Sequence, residues 1–378
     1  MWHDLTSEQE LLRDTTSRYL ADKASLARQR KMRDDPAGFE PDYWTGGAEL
    51  GWTMLLASEE DGGGSVSGRG LVDLAMIAYE FGKNAAPGPL VDCNVAVLAL
   101  GGQSGDLQSQ VLGELLTGQT IVSSCLGAAP WQMPGETGLT IRQDGDDLVI
   151  DGTVKPVESG AQAGYFLVTG ASEGGMTQVL VAADAAGVAV KPLKGIDVSR
   201  RFAKVTFDSA RVPASALVGA FAKADAAVVR QIQHAAVILS AEAVGAMDAA
   251  FDMTLDWTFN RYTFGRALAS YQALKHRMAD MKSWLEASHA ISDAAAEAVA
   301  DGDASAAELA YSAKSYIGVQ GPELCQEGVQ LHGGIGVTYE HDLHFFLRRV
   351  TLNALLYGTP AEHRRMLAAL QIDREQAA

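Results

Sequence analysis

The sequence predicts an α+β fold of three parts, in which a small β-rich region lies between two helical regions. Residues 1–117 show helical periodicity that a glycine cluster interrupts. From about residue 118 to residue 219 the pattern changes to short β-rich runs. Long helical segments with short connections follow and indicate an antiparallel bundle, at 222–260, 268–300, 304–332 and 341–356. We therefore expect domains at 1–117, 118–220 and 221–378.

The N-terminal region begins with a helix-start signal, in which Thr6 or Ser7 precedes two glutamates. A further helix is expected at 71–81, and it stops before the Ala-Pro-Gly-Pro segment at 86–89. Five glycines lie between residues 62 and 70, a pattern that suits either a phosphate cradle or a flexible turn. Because no strand precedes them and no Lys accompanies them, we interpret them as a turn between helices.

The middle region alternates short apolar runs with Gly and Asp. The segment DGDDLVIDG at 144–152 has the pattern of a turn between strands. Seven such runs at close spacing indicate a small β-barrel or sandwich. Because no helices alternate with them, a parallel dinucleotide-binding unit is not expected.

The composition argues against several classes of partner. Of the 378 residues 47% are hydrophobic, and the net charge is −17 at pH 7. Nucleic acids and anionic membranes attract a basic surface, so neither is expected to bind. No run of 18 uncharged apolar residues occurs, and the N-terminus is charged throughout. We expect a cytoplasmic protein without signal peptide or membrane span. Its three scattered cysteines are expected to be reduced, and no metal site is expected.

One carboxylate lies on an apolar helix face within the segment 222–260. The residues at helical spacing around Glu242 are Ala235, Leu239, Ala246, Ala249 and Met253. A carboxylate is costly to bury on such a face. Glu242 should therefore be paired, protonated, or exposed in a cavity where it takes part in chemistry.

Two longer motifs lie in the last third of the chain, RYTFGRALASYQALKHRMADM at 261–281 and QLHGGIGVTYEHDLHFFLRR at 330–349. The first resembles the Arg-x-x-Phe-Gly…Gln…Ala-Asp-Met signature of the acyl-CoA dehydrogenase family, and the second resembles its Gln-x-x-Gly-Gly-x-Gly…Arg signature. Shorter matches precede them in the family's order, at LTSEQELLR, EEDGGG, YEFGKNAAPGPL, DGTVKPVESGAQAGYFLV and RFAKVTFDSARVPASALVG. The resemblance therefore covers nearly the whole chain.

The resemblance implies an N-terminal helical domain, a middle β-domain and a C-terminal four-helix bundle, usually assembled as a tetramer. It also implies FAD-dependent α,β-dehydrogenation of an acyl-CoA thioester. In that reaction a general base removes the α-proton, and the flavin accepts the β-hydrogen as hydride at N5. An electron-transfer flavoprotein or a similar acceptor is the implied redox partner.

The resemblance also assigns cofactor contacts. Arg261 and Phe264 match positions that contact the FAD pyrophosphate and adenine region across a subunit interface, and a guanidinium pairs bidentately with phosphate. Gly333 and Gly334 match the loop that receives the pyrophosphate, where a missing side chain lets the backbone approach. Ser159 is the candidate that remains in the middle domain. The full set of implied FAD contacts is Arg261, Phe264, Gln272, Gln330, Gly333, Gly334, Thr359 and Ser159.

The general base is where the chain departs from the family. Many members carry a Glu at the place that Tyr357 holds here, and Tyr is a poor base at neutral pH. Other members place the base at positions that correspond to Ala235 or Ala236. The stretch 241–245 resembles the Ala-Glu-Ala-x-Gly of steroid-type members, so Glu242 is the predicted base. The alternative is a structural Glu paired with Arg or Lys of a neighbouring helix.

The middle domain departs further, because its segments at 125–130 and 156–159 lack most of the family's side chains for the flavin. This departure resembles subunits of heteromeric α2β2 dehydrogenases that take bulky, steroid-type thioesters. The leading hypothesis is a dehydrogenase that forms a homotetramer or an α2β2 assembly with a related chain. The alternatives are a non-catalytic subunit that holds FAD and, less favoured, a flavin oxidase.

Asp256 is expected to form a salt bridge with Arg261.

Overall fold

The computed structural model describes residues 5–132 and 138–377. Its N-terminal region is helical, as predicted, and the first four glycines of the cluster at 62–70 lie between two helices, while Gly70 begins the second of them. The helices are α1 at Ser7–Lys23, α2 at Leu26–Lys31, α3 at Pro41–Glu49, α4 at Gly70–Lys83, α5 at Leu90–Leu100 and α6 at Asp106–Leu116. At the start of α1 the Thr6 hydroxyl accepts from the Gln9 N–H, and the Gln9 side chain accepts from the Thr6 N–H. This capping box explains why the helix begins there.

The middle region forms one seven-stranded sheet in the order β1-β4-β2-β3-β7-β6, with β5 paired to β4. The strands are β1 at Val122–Leu126, β2 at Leu139–Asp144, β3 at Asp147–Glu158, β4 at Tyr165–Ser172, β5 at Gly175–Ala182, β6 at Val188–Leu193 and β7 at Phe202–Pro213. β1 and β2 run parallel to β4, and the other pairs are antiparallel. Phe166 and Phe207 meet edge to face in the core beneath the sheet.

The C-terminal region returns to helices. They are α7 at Asp225–Asn260, α8 at Gln272–Asp301, α9 at Ala306–His332, α10 at Leu343–Leu355 and α11 at Pro360–Ala377. A short hairpin joins α7 to α8, with β8 at Tyr262–Thr263 and β9 at Arg266–Ala267. α9 packs against α8, α10 and α11, as the predicted bundle requires.

The contacts divide the described chain into two compact units. One contains the segment up to Arg30, Leu71–Ala86 and the chain from Ala236 onward, and the other contains Lys31–Gly70 and Pro87–Ala235. The helices before residue 117 are therefore divided between the units. The domain limits expected from the sequence remain predictions.

The helix α7 belongs to the first unit from Ala236 onward. By length and composition α7 could cross a membrane. However, 89% of its most apolar 18-residue stretch is buried inside the protein, as is usual for a core helix. A Cβ at Gly82 of α4 would overlap with the Glu242 carbonyl, and a Cβ at Gly245 would overlap with the Tyr79 carbonyl. Two glycines thus allow α4 and α7 to touch backbone to backbone beside Glu242.

Candidate functional site

A cavity of about 480 Å³ lies where the segment after α7 meets the end of α9. The two motifs singled out in the sequence, at 261–281 and 330–349, therefore meet in space. The lining residues are Trp257, Arg261, Thr263, Leu268, Gln330, Leu331, His332, Gly333, Gly334 and Ile335. Four predicted cofactor contacts are among them: Arg261, Gln330, Gly333 and Gly334.

The cation of this cavity is Arg261. It is exposed, and its backbone N–H donates to the Trp257 carbonyl at 2.9 Å. The expected salt bridge with Asp256 does not form, because Asp256 Oδ1 accepts from Asn260 Nδ2 at 2.8 Å. Within residues 5–132 and 138–377, no carboxylate pairs with the Arg261 guanidinium. Its charge is therefore available to an anionic ligand.

The opposite part of the lining is built by the glycines that end α9. Gly333 has φ +64°, a left-handed backbone that favours glycine. A Cβ added at Gly333 or Gly334 would meet no atom within 4 Å. The cavity thus combines a guanidinium, the Gln330 amide and backbone without side chains. This donor set fits a phosphate-bearing cofactor.

The predicted base Glu242 lies elsewhere in the same unit. Its side chain is 1% exposed and accepts from Arg349 Nη1 at 2.6 Å and from Asn353 Nδ2 at 2.9 Å. Arg349 is 0% exposed, and its Nη2 also donates to the Ala85 carbonyl at 2.9 Å. Glu242 does not line the cavity. This geometry is the alternative that the sequence left open, a structural Glu paired with Arg of a neighbouring helix, and the role of general base stays a prediction.

Two family models match the chain, "Acyl-CoA dehydrogenase, N-terminal domain" over residues 6–119 and "Acyl-CoA dehydrogenase, C-terminal domain" over residues 226–371. The chain belongs to the acyl-CoA dehydrogenase family. FAD is the cofactor of this family, and oxidation of a CH–CH group in an acyl-CoA thioester is its reaction. The dehydrogenase cavity, with its phosphate-binding donor set, fits that cofactor.

Similar proteins cover nearly the whole dehydrogenase chain. It is 29% identical over 363 residues to acyl-CoA dehydrogenase IpdE2 of Mycobacterium tuberculosis, a match over 95% of this chain and 96% of the relative. Acyl-CoA dehydrogenase FadE34 of the same organism is 28% identical over 97% of this chain but only 48% of its own length. The solved structure of the steroid ACAD Tcur3481-Tcur3483 has 26% identity and a TM-score of 0.86, over 98% of this chain and 99% of the other.

The glycine loop provides a test of cofactor binding by the dehydrogenase. Gly333→Ala and Gly302→Ala both place a Cβ at a residue of positive φ, +64° and +65°, where no atom lies within 4 Å. Gly302 is in the left-handed helical region, with ψ 32°, and its variant should lose about 1–2 kcal/mol of unfolding free energy. Gly333 has ψ −138°, which lies outside that region, and its variant should lose about 1–3 kcal/mol. Only Gly333→Ala should also weaken FAD binding, by about ten- to hundredfold, since the Cβ separates a phosphate from the backbone donors. Equal FAD affinity in the two variants, measured by calorimetry, would contradict the placement of the cofactor here.

Four predicted FAD contacts do not line the cavity, and two of them, Phe264 and Gln272, lie in the segment from the end of α7 to the first residue of α8. Phe264 forms the tip of the β8–β9 hairpin and is 94% exposed, with φ +51°. Gln272 is the first residue of α8 and is exposed. Their predicted contact across a subunit interface stays a prediction.

Thr359 has a structural role at the start of α11. Its hydroxyl and its backbone N–H both donate to Glu362 Oε2, at 2.8 and 2.6 Å, and the Thr359 hydroxyl accepts from the Glu362 N–H at 3.3 Å. These bonds form a capping box. Thr359 is not part of the cavity lining, and its predicted cofactor contact stays a prediction.

A buried lysine closes the turn before Thr359. Lys314 is 2% exposed, and its Nζ donates to the carbonyls of Asn353 and Gly358 at 2.5 and 3.1 Å. Burial lowers the pKa of Lys314 to about 7. An unfolded Lys keeps its proton to about pH 10.4, so between these values the unfolded chain binds more protons than the folded one.

The stability of the dehydrogenase should therefore rise between pH 7 and pH 9, with a slope from Lys314 of up to about 1.4 kcal/mol per pH unit. Urea unfolding at each pH measures it. Lys314→Met should remove this contribution. Lys282→Met, which changes a half-exposed lysine paired with Glu286, should keep it. A rise of the same slope in Lys314→Met would exclude Lys314 as its source.

Ser159 belongs to the other compact unit, at the end of β3. It is 3% exposed, has φ +49°, and its N–H donates to the Arg201 carbonyl at 2.8 Å. The preceding Glu158 forms a buried ion pair with Arg200. These contacts fix the backbone at Ser159, whose role toward FAD stays a prediction.

Sequence reasoning missed two features of the site. Trp257 lines the cavity, and the signal was present, because it lies in the last turn of α7, four residues before Arg261. Arg349, the last residue of the second motif, had no predicted role, and nothing in the sequence identified it as the partner of Glu242. No group of three or more potential metal ligands occurs among the described residues.

Proposed function

We propose that this acyl-CoA dehydrogenase oxidises a bulky, steroid-type acyl-CoA thioester and works in an α2β2 assembly with a related chain. The observation that carries the proposal is the cavity, where Arg261 faces the two glycines after α9 without a carboxylate partner in the described chain. The solved relative that supports the substrate class is named a steroid ACAD, and its name joins two gene products, Tcur3481-Tcur3483.

In this assembly the chain supplies the cofactor site. Bound FAD provides the two-electron acceptor for the dehydrogenation. Arg261 binds phosphate by charge-assisted hydrogen bonds, and the glycines allow close approach of the backbone. Among the described residues that line the cavity there is no Asp or Glu, and Glu242 is buried against Arg349. We infer that the general base comes from the partner chain, so that the active site is shared.

The surface of the first unit supports a partner chain. The segments that line the cavity also expose large apolar side chains, among them Phe259, Tyr262, Phe264 and Val337, which are 61%, 66%, 94% and 78% exposed. Exposed apolar groups of this size are typical of interaction surfaces. FadE34 is about twice as long as this chain, because the segment that matches this chain is 48% of that protein. A relative with room for a second segment of this size is compatible with the pairing of two chains.

A count of flavin per chain tests the proposal. The chain is purified alone and after co-expression with the products of neighbouring genes, and FAD and protein are measured together with the assembly mass. We expect a two-chain complex whose FAD content falls below one per chain. A yellow homotetramer of this chain alone with one FAD per subunit would contradict the α2β2 proposal.

For the redox partner we propose an electron-transfer flavoprotein or a similar acceptor, and we propose that the protein acts in the cytoplasm.

Glu242→Gln tests the source of the base in the complete assembly. We expect turnover to persist, because Glu242 forms an ion pair with Arg349 and does not act as the base. Loss of a general base would lower the turnover rate about 10²–10⁴-fold. The control is Glu80→Gln, which changes another buried Glu of the same unit. A loss of that size in Glu242→Gln alone, with cofactor content unchanged, would establish Glu242 as the base.

A further inference from the structure

Three side chains form a stack at the edge of the cavity. The Arg261 guanidinium carbon lies 5.7 Å from the centre of the Trp257 ring. The Trp257 ring is itself stacked with His332, at 5.2 Å between centres and 21° between planes. All three residues line the cavity. The distance from Arg261 to the indole is within the range of a cation–π interaction.

The base of the stack is held in place by the backbone. His332 is 4% exposed, and its Nδ1 lies 2.8 Å from the Gly328 carbonyl. A carbonyl can only accept, so His332 Nδ1 carries the hydrogen. Burial lowers the pKa of His332 and keeps the ring neutral at pH 7. A neutral imidazole does not compete with the guanidinium for the negative face of the indole.

Arg261 needs such a support because little else holds it. Its side chain is exposed, and within the described residues its charge has no carboxylate partner. A long side chain loses rotamer freedom when it binds a phosphate, and this loss weakens binding. A guanidinium already stacked on a fixed ring has less freedom left to lose.

We propose that Trp257 is a positioning residue of the cofactor site, which holds the Arg261 guanidinium in the cavity and raises cofactor affinity through it. The inference rests on the proposed function, in which this chain holds the cofactor. The indole acts on the ligand through Arg261, so removal of Arg261 should make Trp257 dispensable.

A double-mutant cycle tests this coupling, with ADP as probe and the full-length chain in its native assembly. Trp257→Leu should weaken ADP binding about three- to thirtyfold, the range of a cation–π contact. Trp257→Phe should bind more tightly than Trp257→Leu, because it keeps an aromatic face. In an Arg261→Met background Trp257→Leu should have no further effect. Calorimetry gives each Kd.

The matched control is Phe251→Leu. Phe251 lies on α7, as Trp257 does, but its ring contacts the Lys282 ammonium and it does not line the cavity. This variant should bind ADP as the unchanged protein does. Equal losses from Trp257→Leu with and without Arg261 would overturn the proposal, since they would indicate direct contact or a folding defect. Equal affinities of the Leu and Phe variants would overturn it too. If the unchanged protein binds neither FAD nor ADP, the proposed function itself fails.

Discussion

Arg349→Met is expected to lower the free energy of unfolding by about 3–5 kcal/mol, because it leaves a buried carboxylate without its charge partner. The pair of Arg349 and Glu242 is closed to solvent on both sides, with side chains 0% and 1% exposed. The substitution also removes the donor to the Ala85 carbonyl. Urea unfolding followed by circular dichroism measures the change.

The adjacent residue provides the control. Arg348→Met removes a guanidinium that lies 5.7 Å from the Tyr339 ring and is not fully buried, so it should change stability far less. The double variant Glu242→Leu with Arg349→Met should regain most of the loss, since apolar side chains can replace a buried ion pair at little cost. An Arg349→Met protein as stable as Arg348→Met would show that the pair does not stabilise the helices.

Arg261→Met is expected to weaken FAD binding by about ten- to hundredfold, as hydrogen bonds to charged groups contribute about 1.5–3 kcal/mol. The fold should not change, because Arg261 is exposed and its charge has no carboxylate partner in residues 5–132 and 138–377. Flavin fluorescence during titration of the apoprotein measures the affinity.

Arg266→Met is the matched control for this substitution. Arg266 lies in β9 of the hairpin that follows Arg261, with its guanidinium carbon 3.8 Å from the centre of the Tyr271 ring, and does not line the cavity. It should leave FAD affinity unchanged. Equal losses of FAD affinity in the two variants would indicate a general effect of positive charge. An unchanged affinity in Arg261→Met would show that Arg261 does not bind the FAD phosphate.

Local patterns in the sequence were sufficient for the elements. Helical periodicity and Gly or Pro breaks predicted α7 to α10, because they depend on residues within one or two turns. All seven β-rich runs are strands in the structure, and two of them are much longer than predicted. The runs expected at 147–150 and 202–207 are β3 and β7, of 12 residues each. Composition alone does not determine how far two strands stay paired.

The sequence by itself determined the family, the order of helical and β regions, and the group of Arg261, Gln330, Gly333 and Gly334, because short motifs record the chemistry of a cofactor site. Only the tertiary structure decided which residue pairs with Glu242. Its partner Arg349 lies 107 residues away, and no local spacing relates the two. Burial against that guanidinium stabilises the Glu242 carboxylate as half of an ion pair, and its role as general base stays a prediction.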